Sequence, residues 1–179
     1  MTTNPWKTVK KNIISQNKFG YTLHDDDVIT PSGNPGKYMV LEKHGFVVIV
    51  ALNSKNQVIM TKQWRYPVEK EFIELPAGNI EYNEDPLKTA QRELFEETGA
   101  VSDDWTKLGF FWIGNGAMKI KGHFYLAKNI SLRSGNKQDS TEKITVRLIS
   151  YNKLIKLIKN YKIDEDRTAL GLLLAQNYL

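Results

Sequence analysis

Residues 78–100 read GNIEYNEDPLKTAQRELFEETGA. Asp85 followed by Pro86 is a helix start: the aspartate accepts from the first unpaired amides, and proline has no N–H to leave unsatisfied at the first helical position. Gly99 is the matching stop, because the residue just past a helix commonly takes the left-handed conformation. The pattern predicts a helix from Pro86 to Gly99, with Leu87, Ala90 and Leu94 on its apolar face. On that helix Glu93 and Glu97 are one turn apart and Glu96 is three residues from Glu93. Like charges so placed destabilise a helix by about 0.2–0.5 kcal/mol per pair. A divalent cation among them relieves the repulsion, and a set of oxygen ligands suits a hard ion, Mg²⁺ or Mn²⁺. The same residues also read as a solvated acidic face with Lys88 and Arg92 as partners, since glutamate is a good surface helix former.

Working outward, Glu71–Leu75 reads as a short strand closed by Pro76 and Gly78. Gly78 is expected to give the loop a conformation closed to residues with a Cβ, so that the backbone near Ala77 approaches a metal or a phosphate. Phe46–Leu52 and Gln57–Trp64 are apolar, β-branched runs separated by the turn Asn53–Asn56, which predicts a hairpin. A dense turn signal at Thr30–Gly36 precedes a strand at Lys37–His44. Downstream, Trp105–Trp112, His123–Ala127 and Ile144–Ser150 read as strands, and Tyr151–Tyr161 and Arg167–Leu179 as helices. Strands and helices are mixed without strict alternation. That favours an α+β domain, a mixed sheet packed between helices, over a doubly wound one.

The chain of 179 residues has the size of one compact domain. It contains no cysteine, which excludes disulfides, thiolate zinc sites and a cysteine nucleophile and fits the cytoplasm, the expected compartment. The longest apolar runs, Phe46–Leu52 and Ala169–Ala175, fall far short of the ~20 residues of a membrane span, and the basic N-terminus has no cleavage pattern, so neither membrane nor signal peptide is expected. The net charge of +5 favours anionic ligands, nucleotides among them. The lysine-rich helix near Lys153–Lys162 reads as a solvated face, and nucleic acid is not an expected partner. His24, His44 and His123 form no ligand spacing. Trp6, Phe19, Tyr21 and Tyr66 read as core or interface residues rather than as base-stacking platforms.

Gly78, five residues, Glu84, seven residues, Arg92-Glu93-Leu94, any residue, Glu96-Glu97, any residue and Gly99-Ala100 together resemble the Nudix box at every defined position, Ala100 being the least typical. The resemblance implies a layered α/β/α fold and metal-dependent hydrolysis of a nucleoside-diphosphate derivative. It implies Glu93, Glu96 and Glu97 as metal ligands and catalytic residues, joined by the backbone carbonyl of Ala77. Glu84 matches a supporting glutamate, and as a first-turn charge it also complements the helix dipole. Arg92 is expected to orient a neighbouring carboxylate.

Gln63–Pro67, Glu74–Gly78 and the stretch from Asp27 to Leu52 extend the resemblance to ADP-ribose pyrophosphatases and related nucleotide-sugar hydrolases. There the residues matching Arg65 and Glu74 bind substrate, as their chemistry allows: a guanidinium forks onto phosphate, and a carboxylate accepts from hydroxyls or an amine. Gly116 is a third expected substrate contact. Asn115 stands where the subgroup carries a proline, and Lys119 and Lys121 stand where an acidic residue is common. ADP-ribose is therefore the first expected substrate, with GDP-mannose or UDP-glucose as competitors. Glu142 is the expected general base; a box glutamate, or no side-chain base at all, is the alternative. The subgroup implies a homodimer in which residues 1–45 form a β segment crossing between subunits, with 46–179 as the hydrolase domain. Two other classes stay open: a nucleotide-sugar sensor that binds without hydrolysis, and a hydrolase of RNA caps or dinucleoside polyphosphates.

Overall fold

The computed structural model describes residues 4–135 and 144–179. In chain order the strands are β1 (Lys7–Lys10), β2 (Ile13–Gln16), β3 (Thr22–Ile29), β4 (Pro35–Glu42), β5 (Phe46–Ala51), β6 (Gln57–Arg65), β7 (Lys70–Glu74) and β8 (Ala77–Asn79). Helix α1 (Pro86–Thr98) follows, then β9 (Ala100–Val101), β10 (Asp104–Ile113), β11 (Met118–Lys128), β12 (Ser131–Leu132) and β13 (Thr145–Ser150). Helices α2 (Tyr151–Lys159) and α3 (Asp166–Ala175) come last. This is an α+β chain, as the mixed pattern of elements predicted. It divides into two units, Met1–Gly45 with Phe111–Lys121 and Phe46–Phe110 with Gly122–Leu179.

In the first unit β3 is the central strand. It pairs antiparallel with β1, with β2 and, from Thr22↔Glu42 to Ile29↔Pro35, with β4. The turn signal at Thr30–Gly36 closes the β3–β4 hairpin, with Gly33 at φ +86° and its amide bonded to the Thr30 carbonyl at 2.9 Å. The start of β11 runs parallel to β4 at Met118↔Leu41 and Lys119↔Glu42. Alternation along β3 turns His24, Asp26 and Val28 to the buried side.

In the second unit β5 is buried at all six positions. It lies between β11, parallel from Gly122↔Phe46 to Ala127↔Ala51, and β8, antiparallel from Phe46↔Asn79 to Val48↔Ala77. The expected β5–β6 hairpin is not formed. The two strands share only an isolated bridge, Leu52↔Val58, and β6 instead pairs with β13 and β7. A strand apolar on both faces belongs in the middle of a covered sheet, which a two-stranded hairpin cannot supply. Val47, Ile49 and Ala51 of β5 pack with Ile59, Ala90, Leu94 and Tyr125 in one core. Leu94 is fully buried there, a contribution of about 1.5–3 kcal/mol that fixes which face α1 turns outward. Helix α3 is started by Glu165, whose carboxylate accepts from the Arg167 and Thr168 amides. The Thr168 hydroxyl oxygen accepts from the Leu75 amide at 3.0 Å, tying α3 to the chain two residues before Ala77.

Candidate active site

The helix that carries the carboxylates begins and ends as its sequence dictates. Asp85 Oδ1 accepts from the Leu87 and Lys88 amides at 2.9 and 3.1 Å, and Gly99, at φ +72°, donates to the Phe95 carbonyl at 2.8 Å. With Leu94 in the core, Glu93 and Glu97 come to lie against β8. Glu97 is 6% exposed, and its Oε2 accepts from the Ala77 amide at 3.3 Å. Glu93 passes directly over Gly78: a Cβ placed at that glycine would stand 1.8 Å from Glu93 Cδ and 2.3 Å from its Cγ. Gly78 sits in strand β8 and is not among the glycines with positive φ. The expectation of an unusual loop conformation there is thus corrected: the position needs the missing side chain, not an unusual backbone.

Arg92 organises the rest. Its Nε and Nη2 donate to the two Glu84 oxygens at 2.9 and 3.0 Å, and its Nη2 also donates to the Asn79 carbonyl at 3.3 Å. Its Nη1 donates to Glu93 Oε1 at 2.9 Å and to Glu96 Oε2 at 3.0 Å. The guanidinium hydrogen bonds hold the Glu84 carboxyl down at a pKa of about 2, and the same contacts push the Arg92 pKa up. Arg92 therefore binds carboxylates, as expected, and Glu84 is tied to it rather than left as a free first-turn charge.

The donors assembled here are carboxylate oxygens and the backbone of Ala77. Among the described residues no three acidic or histidine side chains converge closely enough to cage an ion as they stand, and Arg92 Nη1 bridges two of the three carboxylates. The chemistry fits a hard divalent cation nonetheless. Every donor is oxygen, Glu97 is buried, and the space over Gly78 is kept for the Glu93 carboxylate alone.

Arg65 and Glu74, the two expected substrate contacts, are brought together as a pair. Glu74 is 2% exposed; Arg65 Nε donates to its two oxygens at 2.9 and 3.1 Å, Arg65 Nη2 donates to Oε2, and Gln63 Nε2 reaches Oε2 at 3.4 Å. The cross-strand register Thr61↔Glu74 places the carboxylate on the same face of β6 and β7 as Gln63 and Arg65. Gly116 lies in the first unit, in the turn between β10 and β11, where its carbonyl accepts from the Tyr38 hydroxyl at 2.7 Å. Glu142 lies outside the described residues.

Two features escaped the sequence. Trp64 and Tyr66, 62% and 84% exposed, flank Arg65, so Tyr66, like the exposed Phe19, is not the core residue expected. His24 and Asp26 form a buried pair at 2.7 Å, foreshadowed only by the alternation of Thr22–Ile29.

Comparison with known proteins gives the family of the chain. The family model for the NUDIX domain matches residues 42–170. An ADP-ribose pyrophosphatase of Bacillus subtilis (strain 168) is 31% identical over 93% of this chain and 90% of its own length. A protein of Bacillus methanolicus named methanol dehydrogenase activator is also 31% identical, over 92% of this chain and 89% of its own. Among solved structures, one described as an ADP compounds hydrolase superposes with a TM-score of 0.87 over 100% of this chain and 96% of that one; at 18% identity it speaks for the fold. Nudix hydrolases generally use a divalent metal, in keeping with the oxygen donors on α1 and β8. The family match spans most of the chain and takes in the whole of α1 with its glutamates, and by it this protein belongs to the Nudix family of hydrolases.

Proposed function

We infer that the protein hydrolyses the diphosphate of ADP-ribose, with Mg²⁺, to AMP and ribose 5-phosphate. The observation that supports this best is the seating of Glu93 over Gly78 beside Glu97 at the Ala77 amide, on a chain akin to a protein named ADP-ribose pyrophosphatase. Bound Mg²⁺ would offset the diphosphate charge and make a water molecule more acidic. Glu93, Glu96, Glu97 and the Ala77 carbonyl are the residues to hold it. Arg65 would fork onto a substrate phosphate while Glu74, bonded to it, fixes its direction. Glu142 takes the proton of the attacking water. The water oxygen bonds to one phosphorus, the bridging P–O bond breaks, and the bridging oxygen leaves with the other phosphate. The active protein is proposed to be a homodimer formed through residues 1–45. Among the described residues no helix is long and apolar enough to cross a membrane.

The test is Glu97→Gln assayed on a panel of nucleoside-diphosphate substrates with Mg²⁺ and Mn²⁺. The expected outcome is a fall in kcat of about 10² or more with an unchanged unfolding midpoint, since the amide keeps the shape and loses the charge. Wild-type turnover by a folded variant sinks the assignment, and hydrolysis confined to the panel's other members, such as GDP-mannose to GMP or UDP-glucose to UMP, moves the substrate. A second reading, activation of a methanol dehydrogenase, is favoured by the Bacillus methanolicus relative of that name. Stimulation of such an enzyme that persists in Glu97→Gln would support it over hydrolysis.

A further inference from the structure

The first unit contains a cavity of about 450 Å³, lined among others by Trp6, Asp26, Tyr38, Trp112 and Lys119. That volume lies in the range of small-molecule sites, about 300–1,000 Å³. Trp6 and Tyr38 meet edge to face at one corner, with ring centroids 5.4 Å apart and planes at 88°. The Tyr38 hydroxyl is committed to the Gly116 carbonyl, which fixes the ring. Asp26 is 6% exposed, and its Oδ1 accepts from His24 Nδ1 at 2.7 Å. Among the described residues no donor meets its other oxygen. Lys119 does not serve it, because its Nζ is held by Glu42 Oε1 at 2.5 Å.

We propose that this cavity binds a compact organic ammonium ion. A buried carboxylate with one oxygen left over from its hydrogen bond to His24 suits a positive partner. Ring faces attract cations through their quadrupole, and two rings at right angles wall a compact ion where a planar base would need parallel faces. The third ring shows the same preference within the chain itself: Lys121 Nζ sits 4.9 Å from the centroid of Trp112. The carboxylate supplies the charge, Trp6 and Tyr38 supply the walls, and the His24 hydrogen bond keeps the carboxylate turned one way.

The probe is tetramethylammonium chloride, titrated into the full chain at constant ionic strength and followed by the indole N–H resonances in ¹H–¹⁵N spectra, with Trp6→Phe identifying the Trp6 signal. A saturable shift of that signal is expected, matched by no shift with sodium chloride. Asp26→Asn should weaken binding about tenfold or more and Trp6→Ala several-fold, in line with the strength of buried cation–ring contacts. Thermal unfolding checks that both variants fold; Trp6→Ala, at a half-exposed position, keeps the test available if Asp26→Asn does not. No saturation, an equal shift with sodium chloride, or full affinity in either folded variant overturns the proposal. A tighter, competing shift with AMP also overturns it, assigning the cavity to a nucleotide.

Discussion

Gly78→Ala tests the closest approach in the site. The added Cβ would stand 1.8 Å from Glu93 Cδ, where ordinary contact begins near 3.4 Å, so the carboxylate must retreat by 3.4 − 1.8 = 1.6 Å. Rotation of the Glu93 tip alone does not solve the clash, because Cγ is itself only 2.3 Å away. The side chain must change χ1, giving up its 2.9 Å contact with Arg92 Nη1, or β8 must shift against β5. Overpacking of this kind costs about 1–3 kcal/mol. For a chain of this length that is a fall in unfolding midpoint of roughly 2–12 °C. The cost to function is larger: displacing a ligand by more than an ångström is worth about 10²-fold in rate, or about 2.7 kcal/mol of transition-state stabilisation. The assay pairs thermal unfolding with AMP release from ADP-ribose under saturating Mg²⁺. Glu93→Ala in the Gly78→Ala background should recover the lost midpoint without recovering rate, because it removes the clash and the ligand together. A folded Gly78→Ala protein with wild-type kcat would refute the claim that this glycine exists to seat Glu93.

Arg65→Ala should lower stability by about 3–5 kcal/mol, read by urea unfolding, because it strands the buried Glu74 carboxylate; replacing both residues by leucine should restore much of that, and a loss below 1 kcal/mol for the single variant contradicts the pairing. Glu84 titrates lower in the folded protein, at about 2, than its ordinary 4.5, so its contribution is complete above pH 4.5 and is lost as the pH falls toward 2. Unfolding measured from pH 6 to pH 2 should therefore show Glu84→Gln flatter than the parent across that window, by about 1–3 kcal/mol after allowance for solvent screening; parallel curves would remove the Arg92 bond as the cause.

Helix α1 was legible because its signals are local. Asp85, Pro86, Gly99 and the spacing of Leu87, Ala90 and Leu94 set its limits without reference to the rest of the chain, and the helix runs Pro86–Thr98. Strand pairing was not. Phe46–Leu52 and Gln57–Trp64 look like a hairpin because they are neighbours, yet β5 takes its partners from β8 and from β11, whose parallel register begins at Gly122. Sequence proximity has no bearing on which distant strand offers two apolar faces. The role of Gly78 was read from the right residue for the wrong reason, since a steric need created by Glu93, fifteen positions on, cannot be told from a backbone need in one dimension. Arg65 and Glu74 were each picked out as binding residues; that they face one another followed only from the antiparallel register of β6 and β7.

The bond between the Leu75 amide and the Thr168 hydroxyl spans 93 residues. It makes the segment leading into β8 dependent on a long-range contact, late to form although α1 itself folds from local cues. During synthesis the segment that precedes Ala77 has no partner for a buried amide until α3 has emerged, and an amide left so costs about 1–3 kcal/mol. The part of the molecule that carries the box glutamates is thus finished from its C-terminal side, and a nascent chain stopped before Asp166 would carry them all without the Thr168 bond that holds the segment before Ala77.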